Sequence, residues 1–565
     1  MAEDDADTGE RRRLSAIGAP GFSLADLFGR AMRRLSWRSP VHKMRLRGRY
    51  PLQLIDVPGD PVPGRPRAGK ALLEGRMLLG QESVAVDAIA KGGFSPAFAD
   101  HYQSFAWLRD LAVAAPRDHT APVAEALTAH WLKDHGTAVA GPGFRPDLWG
   151  RRTLMWAAYA PLVLGSADQD YRKAVLNCLA RGARHLDRAA DAAAPGVARV
   201  AAWAGVITAG LLMPGGDIRV AHGEAGLIRA LALALLDDGG VATRVPAQQL
   251  DLVELLVQLR AVYEVRARPL PAGIAKALAQ ALPALFGVVL GDGALSSWQG
   301  GNPGSAARIE AAAAASGLRI AALSAPKGWG YQQAVAANAR LVIDAAPPPT
   351  GALVRGGCAS TLAFELSEGG QRLIVNCGGA PGLPAELAEG LRTTAAHSTL
   401  VLADTNSTSV HADGSLGKGV GHVDVVRREN QGAVTIEAAH DGYVRRHGFR
   451  HSRRLTLNAD GRQLSGEDAL VPAGRKRAIA ATRFAIHFHL APGLDPVLTA
   501  DGKGALLKPA AGEAWQFRSD AGALSLEDSL WIDAFGRPQP TRVLTIAGET
   551  PPDGASVGWS IRKVR

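Results

Sequence analysis

Cysteine is scarce: Cys178, Cys358 and Cys377 are the only three in 565 residues. They are too few and too scattered for a disulfide framework or a thiolate zinc site, as expected of a reducing compartment. Long apolar runs are also missing. "VARVAAWAGVITAGLLM" (197–213) reaches helix length but is rich in Ala and Gly and flanked by polar turns, so a buried helix is expected there, not a membrane span. The opening "MAEDDADTGERRRLSAIG" lacks the apolar core of a secretory signal, which points to the cytoplasm. No zinc finger, RNA-recognition signature or phosphate-binding glycine loop occurs, so no nucleic acid is expected as a partner.

What the chain does have is positive charge and enough apolar residues for two cores. Lys and Arg total 63 against 53 Asp and Glu, a formal charge of +10, and 47% of residues are hydrophobic. Such a surface favours anionic partners, whether an anionic polysaccharide or oligosaccharide, nucleic acid or lipid headgroups, and charge alone does not choose among them. Residues 1–20 are expected to be a disordered tail by composition. In 21–74, a basic helix is expected to place Phe22, Leu24, Leu27 and Leu35 opposite Arg30, Arg33 and Arg34. That helix either docks on its own domain or makes a peripheral membrane contact.

From 75 to 317 apolar residues recur at three- and four-residue spacing, as in "RRTLMWAAYAPLVLG" and "QQLDLVELLVQLRAVYEVR". Repeated helical hairpins of this kind close into an α/α toroid or stack as a solenoid. From 318 to 565 short alternating segments separated by Gly, Asp and Asn predict an antiparallel β-sandwich, with "LSEGGQRL" and "LNADGRQL" as hairpin turns.

Five stretches in order carry a family resemblance: "WGRRTLMWAAY" (149–159), "DDGGVATRVP" (237–246), "CASTLAFELSEGGQRLIVNCG" (358–378), "RTTAAHSTLVL" (392–402) and "AAHDGYVRRHGFRHSRRL" (438–455). With them the chain resembles the heparinase II/III-like family from about 140 onward. The resemblance implies an α+β protein, an N-terminal (α/α) toroid and a C-terminal antiparallel β-sandwich. It also implies a polysaccharide lyase acting by β-elimination on a uronate-containing polymer. A cation or polar cluster screens the carboxylate in such a reaction, a base such as Tyr or His takes the C5 proton and an acid protonates the leaving oxygen. Many family members are periplasmic, so the cell envelope is the alternative location.

The pattern departs from the family at chemically important positions. Gly356-Gly357-Cys358-Ala359-Ser360 stands where the family has a His-x-His-Ala-Asp type of element. Asn376 stands where metal-binding relatives place an aspartate, and Gln248 and Gln249 where the lyases carry Tyr-His after the "DGG" turn. The ligand set is therefore incomplete and no metal site is expected, with zinc near His397 the residual alternative. What remains is His397 and Tyr443 as catalytic candidates, with Arg244, Gln248, Trp298, Asn302, Arg392, His440 and Arg446 as substrate-binding candidates. Histidine can move a proton near neutral pH, arginine can clamp a carboxylate and Trp can stack on a pyranose. Each also has an ordinary structural reading: a hydrogen-bonded strand-start histidine, a packed turn at "HDGY", a buried tryptophan. The expected arrangement puts Arg244 and His397 in one basic groove between the domains. The alternative is a non-catalytic binding protein for an anionic polysaccharide on the same scaffold.

Overall fold

The computed structural model describes residues 11–15, 32, 39–46, 53–136, 141–349, 356–474, 480–521 and 524–564. The basic helix expected around Phe22 to Leu35 lies outside the described residues.

Helices occupy the chain from Pro66–Leu73 to Ala306–Ser316, and strands dominate from Tyr331–Ala336 onward. Local signals set many helix starts. Pro146 and Pro246 take first-turn positions where no amide is needed, and Asp168 caps Gln169–Ala189 by accepting from the N–H groups of Asp170 and Tyr171. Helix Val197–Leu212 is buried almost throughout because it is packed on several sides, against Pro146–Ala158, Asp217–Ala234 and Pro246–Val265. Two glycines allow the closest of these approaches. A Cβ on Gly205 would lie 2.4 Å from the Cα of Gly150, so neither position has room for a side chain. No helix among the described residues is long and apolar enough to cross a membrane.

The β-domain is two antiparallel sheets around a second apolar core. The larger sheet runs Arg11–Ser15, His422–Asn430, Ala433–His440, Phe449–Leu457, Gln463–Pro472, Ala555–Lys563, Trp515–Ser519, Gly504–Pro509, Leu494–Leu498. The second runs Leu524–Ile532, Pro538–Thr550, Thr482–Leu490, Gln371–Val375, Phe364–Glu368, Ala339–Asp344, Tyr331–Ala336, with Leu400–Leu402 paired to Thr482–Leu490. Strict alternation of buried and half-exposed residues along Ala433–His440 is the period-two pattern that the sequence predicts. "LSEGGQRL" turns at Gly369-Gly370, between the paired Glu368 and Gln371. One expectation is corrected: Arg11–Ser15, assigned to a disordered tail, is a strand paired with His422–Asn430. Composition registers the surrounding charge, whereas the ordering comes from an available sheet edge far along the chain.

Toroid and sandwich share core at their junction. Val342 and Ala363 of the sandwich belong to the same buried cluster as Leu252, Leu285 and Trp298 of the helical domain.

Candidate interdomain site

The "DGG" turn places Arg244 in the left-handed region, φ +56°, at the start of helix Pro246–Val265. From there its guanidinium enters the sandwich and is fully buried. Nη2 donates to Asp344 Oδ1 at 2.6 Å, Nε to the carbonyl of Trp329 at 2.8 Å and Nη1 to that of Pro347 at 2.9 Å. Tyr331 lies under the guanidinium and donates its hydroxyl to the Arg244 carbonyl at 2.7 Å. The other oxygen of Asp344 accepts from Ser360 Oγ at 2.7 Å, and Ser360 Oγ in turn accepts from Gln299 Nε2 at 3.1 Å. Arg244 is thus a latch between domains and does not face a groove.

A second network explains Asn376. Glu365, fully buried, accepts from the N–H of Ser297 at 2.9 Å and from Asn376 Nδ2 at 3.0 Å; Asn376 Oδ1 accepts from the N–H of Ser398 at 2.9 Å. The position needs a donor on one side and an acceptor on the other, which an amide has and a carboxylate lacks. Arg372 completes the seam, bidentate to Asp292 at 2.7 and 3.0 Å and 3.3 Å from Glu365. Burial pushes the Glu365 carboxyl upward against the pull of Arg372. Asn376→Asp sets a second carboxylate against Glu365 and removes its donor. A loss of about 1–3 kcal/mol is expected, read as a lower urea midpoint at neutral pH; an unchanged midpoint would refute this role for the amide.

The remaining candidates divide between buried and partly open positions. His397 is 1% exposed, and its Nδ1 donates to the carbonyl of Thr393 at 2.8 Å. Burial holds its pKa down at about 4, so the ring is neutral at physiological pH. Tyr443, also 1% exposed, donates to the carbonyl of Leu400 at 2.9 Å, and burial raises its phenol. Neither proton-transfer candidate faces solvent. Trp298 is buried, stacked on Tyr331 and bonded to Ser296 Oγ at 2.7 Å. Arg392 spends its guanidinium on the carbonyls of Gly357, His411, Gly414 and Ser415.

His440 Nδ1 accepts from the N–H of Gly442, so its Nε2 donates to His451 Nδ1 and His451 Nε2 donates to Asp468. Asp468 also takes Arg453 and Trp559, and its carboxyl lies well below the usual range although burial opposes this. Gln248 accepts from Thr243 Oγ1, and Asn302 accepts from the N–H of Gly304 in a turn; both are partly exposed. Arg446 is exposed beside Tyr443 on a small cleft. The candidates therefore do not converge on one open space. Among the described residues no group of three or more His, Cys, Asp or Glu is placed to hold a metal ion; Cys377 and His489 lie 3.5 Å apart, with the Cys377 thiol raised to about 12 by burial.

One further cleft, of about 200 Å³, opens in the helical domain, and none of the candidate residues lines it. Its three arginines are all compensated: Arg109 by Asp60, Arg151 by Asp251 and Arg308 by Glu254. Asp60 belongs to the segment before the first toroid helices, and also accepts from Tyr159 and Gln258. Pairing across 49 to 100 positions leaves no local motif by which sequence reading finds such a cluster.

A helical toroid followed by a two-sheet sandwich is the fold of heparinase III. Heparinase III matches over 97% of this chain and 93% of its own, with TM-score 0.67 and 12% identity. Heparan sulfate lyase HepC from Pedobacter heparinus matches over 88% and 82%, with TM-score 0.56 and 14% identity. At such identities the likeness is one of fold. The family model described as heparinase II/III-like, C-terminal, matches residues 321–560. FtsZ-localized protein C of Caulobacter vibrioides is 30% identical over 545 residues, 93% of each chain. The chain belongs to the heparinase II/III-like family.

Proposed function

We propose that this protein keeps the lyase scaffold without lyase catalysis and acts as a non-catalytic binding protein that localises with FtsZ. The single observation carrying the first half is the seal around its proton-transfer candidates. β-Elimination needs a base in contact with the sugar, yet His397 and Tyr443 are buried and bonded to backbone carbonyls. The paired arginines of the helical cleft have no spare charge for a substrate carboxylate. Support for the second half is the similarity to FtsZ-localized protein C, which spans both domains.

Two measurements test this. Purified protein offered heparan sulfate, heparin and alginate is expected to give no ultraviolet absorbance from unsaturated uronate, and a fluorescent fusion is expected to coincide with FtsZ in dividing cells. Appearance of the chromophore, lost in Tyr443→Phe, restores a lyase; a fusion distributed independently of FtsZ overturns the localisation. The formal charge of +10 favours a second reading, an anionic polysaccharide as the bound partner. Retention on immobilised heparan sulfate that persists at physiological salt is its test.

A further inference from the structure

A cleft of about 170 Å³ indents the sandwich where the loop around Asn406 and Ser409, the loop carrying Lys418, and the turn Asp441 to Arg446 meet. Three cations and one carboxylate line it: Lys418, Arg445, Arg446 and Asp441. Asp441 is held by the N–H groups of Gly421 and His422 at 2.8 and 3.1 Å, which fixes the rim. Lys418 and Arg445 make no ion pair with the described residues, so the cleft carries two uncompensated positive charges. This differs from the helical cleft, where every arginine has its acid.

The neutral donors also have a set direction. Asn406 Oδ1 accepts from the N–H of Thr394 at 2.9 Å, which fixes the amide orientation and leaves its two Nδ2–H donors for another acceptor. Ser409 contributes a hydroxyl to the lining. The floor is rigid, because Tyr443 beneath it is buried and tied to Leu400. Arginine and lysine beside amide and hydroxyl donors form a receptor for oxygen-rich anions. Two unmatched charges fit a phosphate monoester, which carries about −1.5 to −2 near neutral pH, better than a carboxylate.

We propose that this cleft binds a phosphate monoester group, through Lys418, Arg445 and Asn406. The group reaches it either on a small soluble molecule or on a lipid headgroup. Binding requires neither lyase chemistry nor FtsZ, so its failure is separable from that of the function proposed above.

Calorimetric titration of the full-length protein with inorganic phosphate and with glycerol 3-phosphate at pH 7.5 is the test. Saturable binding is expected, weakened about tenfold in Lys418→Gln and in Arg445→Gln, with Arg454→Gln, on the outer face of the sheet, as an unchanged control. Affinity is expected to fall as pH drops through the second phosphate ionisation near ~6. Co-sedimentation with phosphatidylcholine vesicles containing phosphatidic acid separates the sources. Vesicle binding competed by glycerol 3-phosphate assigns the lipid headgroup, whereas titration without vesicle binding assigns a soluble ligand. Absence of phosphate binding, equal binding in both cleft variants, or glucuronate binding more tightly than phosphate overturns the proposal.

Discussion

Replacing Arg244 by methionine is expected to cost about 3–5 kcal/mol, among the largest effects of any single side chain here. The charge itself is not the source of that stability. Removing the guanidinium leaves Asp344 sealed in the seam with Ser360 Oγ as its remaining side-chain donor, and frees the carbonyls of Trp329 and Pro347. Buried carboxylates without a counter-charge are what proteins tolerate least. Because the latch joins the two domains, urea unfolding of Arg244→Met is expected to separate the helical and sheet signals further than in the unsubstituted protein. Arg244→Met combined with Asp344→Asn is expected to recover much of the loss, since no orphan charge remains. A single variant with wild-type midpoint, or a double variant no better than the single, contradicts the latch.

Acid is expected to unfold the protein well before pH 4. Burial lowers His101, His185, His397, His487 and His489 to about 4 from an ordinary 6.5. A histidine that stays neutral in the folded state binds fewer protons there than in the unfolded chain. Its contribution is complete above pH 6.5 and is lost as pH falls from 6.5 towards 4. Each group changes stability by at most about 1.4 kcal/mol per pH unit in that window. Even half the summed effect of five rivals the whole stability of a domain, about 5–15 kcal/mol. Glu365 and Asp100, both raised by burial, work in the opposite direction, but they are two groups against five. Circular dichroism is expected to show loss of structure between pH 6 and 4, with several protons taken up, measured by calorimetry in buffers of different ionisation heat. A flat profile to pH 4 contradicts neutral burial of these rings.

Helix and strand periodicity made the architecture readable, because facing one core imposes spacing on a helix and alternation on a strand. The order of five motifs added the family. The site was less readable for a physical reason. "AAHSTL" looks the same whether His397 points to solvent or donates to Thr393, and Arg244 follows its glycines whether it meets a sugar or Asp344. Burial is decided by segments roughly a hundred positions away. The substitution of Asn for Asp at 376 was visible, but its cause, an amide bridging Glu365 and Ser398, required three segments together. The cleft beside Tyr443 lies partly within reach of the sequence, since the "HDGYVRR" stretch carries the candidates Tyr443 and Arg446, while Asn406 and Lys418 carry no local signal.

The pairing of Arg11–Ser15 with His422–Asn430 also constrains how the molecule is made. Ser15 and His422 are 407 positions apart. At ribosomal speeds of about 5–20 residues per second, the early strand waits roughly 20–80 s for its neighbour to emerge. During translation it is a loose end beside a folding helical domain, and its docking belongs among the last events of maturation.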